Sequence, residues 1–153
     1  MISAEFINAI KIVEERMKGA HMNWAVIASS NLALQGMDVA PNDLDVVVRR
    51  DDLHKISDLF HDFNASDVGE LLTLNGKPAW DVAMKVGQVA VQFLGEHDSG
   101  PYVEKLLKQR IKNCPVDGYG VPCLTLDAEV EAYSQTGRWK KAKMVSEFLQ
   151  AKK

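Results

Sequence analysis

Apolar residues along the chain recur first at helical spacing. Phe6, Ile10, Val13 and Met17 form one stripe opposite Glu5, Lys11, Glu14 and Lys18, so residues 3 to 18 read as an amphipathic helix capped by Ser3 and ended by Gly19. Trp24 to Ala28 is a short apolar run that fits a buried strand, and Ser29-Ser30 then opens a helical segment, NLALQG, that stops near Gly36. After a loop, DLDVVV passes into a β-branched run that marks a second strand, followed by Arg49 and Arg50. Asp51 or Asp52 is placed to cap a helix running through Leu53, Ile56, Leu59 and Phe60.

Residues 64 to 79 are polar and contain glycine, with LLTL (71 to 74) as a short strand. WDVAMKV and VAVQFL flank Gly87-Gln88 as the two arms of a hairpin. Beyond Pro101, the residues Val103, Leu106, Leu107 and Ile111 share a helical face, and this region breaks near Pro115 and Gly118. Closing helices cover roughly 126 to 134 and 140 to 151, with Gly137 between them. No internal repeat or linker-like shift interrupts the chain. Residues 1–153 are therefore expected to form a single α/β (α+β) domain, a small mixed β-sheet packed against helices, with C-terminal helices.

Composition narrows the partners more than the fold. With 46% hydrophobic and 25% charged residues the chain is ordinary globular material. A net charge of -3 gives no global reason to bind a polyanion, so any basic site must be local. The first twenty residues lack a signal-peptide pattern and no stretch approaches a membrane span, which leads us to expect a cytoplasmic protein without a membrane partner. Cys114 and Cys123 are too few for a thiolate zinc site and read as half-buried thiols in a reducing compartment.

The candidate chemistry starts at Asp43-Leu44-Asp45. Strand alternation sends both carboxylates to one face, where their repulsion is relieved by a hard cation with oxygen ligands, magnesium or manganese rather than zinc. Solvated or capping carboxylates are the alternative reading of such a pair. Upstream, Ser29-Ser30 lies between a strand and a helix, where backbone N–H groups and hydroxyls are placed to hold phosphate oxygens.

The run ASSNLALQGMDVAPNDLDVVV resembles the signature of the nucleotidyltransferase superfamily: a Gly-Ser or Gly-Gly pair, about a dozen residues, then an acidic-hydrophobic-acidic strand. The likeness is to small prokaryotic members related to the antibiotic nucleotidyltransferases, and VPCLTLDAEVEAYSQTGRWKKAKMVSEFL resembles their final helices. The resemblance implies a minimal nucleotidyltransferase fold. It also implies Ser29 and Ser30 at the triphosphate, Asp43 and Asp45 as metal ligands and catalytic acids, and transfer of a nucleoside monophosphate from a nucleoside triphosphate to a hydroxyl acceptor. Ser29 stands where the family usually has glycine, so its Cβ is expected to narrow the phosphate turn.

Active relatives carry a third carboxylate on a later strand, and the equivalent-looking strand here, VAVQFL, has Gln92. An amide cannot accept a proton near neutral pH. A two-residue turn at Gly87-Gln88 pairs Ala83 with Gln92 and puts Asp81 on the same face, which makes Asp81 the candidate substitute acid; an exposed carboxylate at a strand start beside Trp80 is the alternative and favoured reading. Glu96 and Asp98 follow as weaker candidates.

Lys85 shares the face of Asp81 and is a candidate, with Gln92, for nucleotide contact; a solvated strand lysine is the alternative. Arg49 and Arg50 are similarly ambiguous, and His97 is placed near the rim. His54 and His61 lack a third metal ligand. Arg138, Lys140, Lys141 and Lys143 around Trp139 form either a basic lid or a solvated helix face. Two other function classes stay open. One is a catalytically degenerate nucleotide-binding or protein-interaction module, which Gln92 favours. The other, remoter, is a sugar-nucleotide transferase. The acceptor, the base preference and a homodimer or protein partner are not legible.

Overall fold

A computed structural model describes residues 2–73 and 76–152. Its centre is a seven-stranded sheet in the order β3-β4-β5-β2-β1-β7-β6. The strands are β1 (Trp24–Ile27), β2 (Asp43–Arg49), β3 (Gly69–Leu72), β4 (Pro78–Val86), β5 (Val89–Glu96), β6 (Ile111–Val116) and β7 (Tyr119–Leu124). The β2–β5 and β1–β7 pairs are parallel and the others antiparallel, so the sheet is mixed, as the sequence reading expects.

Helix α1 (Ala4–Gly19) starts where Ser3 Oγ accepts the Phe6 N–H at 3.1 Å, and buries Phe6, Ile10, Val13 and Met17 against one face of the sheet. Helix α3 (Leu53–Leu59) covers the same face further along, and Phe60 behind it stacks on Phe93 of β5 with ring centroids 5.3 Å apart. Burial of each of these two rings stabilises the fold by roughly 2–3 kcal/mol. The expected aspartate cap of α3 is absent: a 3-10 turn, Arg50–Asp52, leads in, and Asp52 takes the cap position in a helical conformation with no side-chain cap bond. The short strand expected over 71 to 74 is β3, which ends at Leu72; residue 74 lies outside the described residues.

The opposite face is covered only in part. Ala25, Ile27 and Val47 pack there against α4 (Val103–Leu107) and α5 (Leu126–Gln135). A third cluster joins α2 (Ala28–Leu34), α5 and α6 (Trp139–Ala151) through Leu32, Tyr133, Ala142 and Val145. Beyond these helices the starts of β2 and β5 and the end of β4 stay open.

The helical region expected to run from Pro101 through Ile111 is corrected: α4 has five residues, and Ile111 begins β6 of a hairpin with β7. Its turn is Asp117-Gly118, with φ of 49° and 86°, the pair of positive angles that a two-residue hairpin turn demands. Pro115 is tolerated because β6 is the edge strand of the sheet. Among the described residues no helix is long and apolar enough to cross a membrane.

Candidate functional site

Strand alternation in β2 buries Leu44 completely and turns Asp43 and Asp45 to the open face, Asp43 exposed and Asp45 half-buried. On one side Asp45 is in register with Ile27, the last residue of β1. On the other it is in register with Gln92, and Gln92 with Ala83. The hairpin register expected from the Gly87-Gln88 turn is therefore the one formed, and Asp81 follows on the same face of β4. Gln92 Nε2 donates to Asp81 Oδ2 at 3.0 Å. With its amide nitrogen engaged, Gln92 has its carbonyl oxygen left for another partner. Lys85 lies two residues from Ala83 on this face, and an open groove of about 690 Å³ runs past Asp43, Asp45, Ala83, Lys85 and Gln92.

Burial, and then the charge of Asp43, push the Asp45 carboxyl up to about 6. Arg138, at the cap position of α6, and Lys141 on that helix pull in the opposite direction. Two carboxylates on one face, one of them resisting ionisation through burial and then through the charge of the other, suit a hard divalent cation. Among the described residues no group of three His, Cys, Asp or Glu side chains is gathered for a metal.

The turn between β1 and α2 differs in detail from its sequence reading. The left-handed backbone angle falls on Ala28, at φ 59°, and not on Ser29. The residue occupying the glycine-like conformation is thus one position earlier, and Ser29, half-buried, has an ordinary backbone. Ser30 is fully buried; its hydroxyl donates to the Ile27 carbonyl at 2.8 Å and accepts the Asp45 N–H at 3.2 Å. Its side chain ties the turn to β2.

Glu129 and Asn31 are the residues that sequence reasoning missed. Both are fully buried. Glu129 Oε2 accepts the Ala28 N–H at 2.7 Å and Asn31 Nδ2 at 2.8 Å. Burial is the first cause that pushes its carboxyl up to about 8, and the charge of Asp45 adds to it. A signal was present: Glu129 sits three residues after Leu126 and four before Tyr133, on the apolar stripe of α5. Arg138 and Lys141, left between a lid and a solvated face, do reach the site through their charge on Asp45.

The remaining candidates separate. Glu96 is buried and accepts the N–H groups of Tyr102 and Val103, each at 2.9 Å, so it fixes the start of α4. Asp98, His54 and His61 are exposed. Arg50 lies over the Trp80 ring, 5.3 Å from its centroid, and is 3.0 Å from His97 Nδ1. His97 lines a second cavity of about 200 Å³ with Leu94, Ala79, Tyr102 and Arg138, further along β5 from Gln92.

Residues 9–147 match the family model described as aminoglycoside-2''-adenylyltransferase. A provisionally assigned nucleotidyltransferase from Thermotoga maritima is 23% identical, with a TM-score of 0.74 over 99% of this chain and 96% of that one. The antibiotic-resistance factor ANT(2'')-Ia is similar in fold in two structures. In complex with adenylyl-2''-tobramycin it is 8% identical, with a TM-score of 0.55 over 95% of this chain and 97% of that one. In solution it is 10% identical, with a TM-score of 0.56 over 95% and 91%. The architecture is the nucleotidyltransferase fold. A search of curated proteins gives no match.

Proposed function

The chain belongs to the aminoglycoside-2''-adenylyltransferase family, and from that membership we propose that it transfers a nucleoside monophosphate from a nucleoside triphosphate to a hydroxyl group. The observation that carries the reading is the placement of Asp43 and Asp45 on one open face of β2, with Asp45 tied through Ser30 to the Ala28–Ser30 turn. In this reading residues 1–153 act as one catalytic domain in the cytoplasm.

Asp43 and Asp45 would hold the divalent cation, magnesium or manganese, together with phosphate oxygens. When bound, such an ion neutralises charge on the transferring phosphoryl group and the departing pyrophosphate. The backbone of the Ala28–Ser30 turn orients the triphosphate, and Lys85, Arg138 and Lys141 supply positive charge around it. Asp81 takes the proton of the attacking hydroxyl. Gln92 holds that carboxylate by its 3.0 Å hydrogen bond, and so positions the base rather than being one. The acceptor class suggested by the family is an aminoglycoside hydroxyl; hydroxyls of other small molecules, proteins or RNA complete the screen.

A second reading, a catalytically degenerate module that binds nucleotide or a protein partner, is favoured by Gln92 standing in register with Asp45 where an acid would be expected. Calorimetric titration with ATP, GTP, CTP and UTP, with and without magnesium, separates the two from a third outcome. Metal-dependent binding that is lost in the Asp43→Asn, Asp45→Asn double variant supports the site, and an acceptor screen then reads transfer. Binding without transfer to any acceptor, unchanged in Asp81→Asn, favours the module. No triphosphate binding by the wild type refutes both nucleotide readings.

A further inference from the structure

Glu129 has no part in the transfer reaction as set out above, yet among the described residues it is the most deeply buried carboxyl side chain. It is fully buried, one oxygen takes two donors, and the other, Oε1, has no hydrogen-bond partner among the described residues. A buried carboxyl satisfied on one side only is a poor choice for core stability, since an apolar side chain of similar size would fill the space at lower cost. The donors it holds explain its presence better.

One donor is the N–H of Ala28, the residue whose left-handed backbone turns β1 into α2. A residue with a Cβ disfavours that conformation, where glycine would adopt it freely. The other donor is Asn31, on the first turn of α2. Asn31 Nδ2 also reaches the Leu124 carbonyl at the end of β7, at 2.8 Å, and Gln35 holds the Asn31 amide oxygen at 2.7 Å. The carboxyl is thus pinned from two sides, between a helix that closes the chain and the turn beside Asp45. Through Ser30, whose hydroxyl accepts the Asp45 N–H, the place of this turn is coupled to the place of the acidic pair.

We propose that Glu129 is a positioning residue for the nucleotide: its carboxyl holds Ala28 in the left-handed conformation and so sets the Ser29 and Ser30 backbone amides relative to Asp45. The proposal rests on the nucleotidyl-transfer reading. It makes the closing helix α5 part of the binding apparatus, and it assigns to a side chain distant in sequence the task that a glycine performs by itself.

The test is calorimetric titration of the full chain with MgATP, with circular dichroism to monitor the fold. Glu129→Ala removes the acceptor, and Glu129→Asp draws it back by about 1.5 Å. Both are expected to weaken binding about tenfold or more. If the alanine variant does not fold, the aspartate variant carries the comparison. Glu129→Gln keeps an oxygen for Ala28 and Asn31 and should stay within about threefold of wild type. Ala28→Gly in the Glu129→Ala background should recover affinity, because glycine takes the positive φ unaided. Folded Ala or Asp variants with wild-type affinity overturn the proposal, and so does a glutamine variant as weak as alanine or a glycine that restores nothing. A wild type that binds no MgATP overturns the nucleotide reading, and the positioning role with it, before any variant is compared.

Discussion

A carboxyl pushed up to about 6 by burial and by a like charge at Asp43 is protonated at pH 5 and ionised at pH 7. For the free protein the sign is unfavourable at high pH: the folded value lies above the unfolded 3.8, so the contribution of Asp45 to stability is present below about 4 and lost as pH rises through 6. For the bound protein it reverses, because a cation needs the ionised form. Affinity for magnesium-triphosphate should rise between pH 5 and 7 with a midpoint near 6, and the dependence should vanish in Asp45→Asn. Calorimetry at four pH values measures it. The acidic pair was legible in the sequence because two residues on a strand are enough to fix their common face. The φ of Ala28 was not, because its N–H partner is 101 residues away; Glu129 showed only as a carboxyl on the apolar stripe of α5, and what it bonds lies outside local pattern.

At the scale of elements, local pattern succeeded where the turn chemistry was read and failed where it was passed over. The Gly87-Gln88 turn predicts the β4–β5 register down to the Ala83–Gln92 pair, and the sheet has it. Asp117-Gly118 is an equally strong turn signal, but Val103, Leu106, Leu107 and Ile111 at helical spacing, with Pro115 read as a break, concealed the β6–β7 hairpin. Prolines argue against central strands and are admitted at an edge, and which strand is the edge is a property of the whole sheet. Because Gly118 has φ 86°, Gly118→Ala should cost about 1 kcal/mol and lower the melting temperature by about 2–4 °C. Its turn lies at the end of the hairpin opposite Leu124, so MgATP affinity should not change; a thermal melt with a parallel titration checks both.

At the scale of the molecule, the candidate site is assembled from segments far apart in the sequence. The acids come from β2 and the turn from the start of α2, while Glu129, Arg138 and Lys141 arrive from the closing helices. Removing the two cations by Arg138→Ala, Lys141→Ala takes away the groups that oppose burial at Asp45, so the pH midpoint of triphosphate binding should move above 6 and affinity at pH 7 should fall about tenfold. Titration of that double variant at several pH values reads both effects. The bond from Ala28 to Glu129 spans 101 residues, and this fixes an order of events during synthesis. A ribosome delivers Asp43 and Asp45 more than eighty residues before Glu129. Until α5 emerges, the Ala28 N–H is without its Glu129 acceptor. A growing chain therefore carries its acids with the Ala28–Ser30 turn unset until α5 has been made, so on the proposed reading nucleotide engages only after that point.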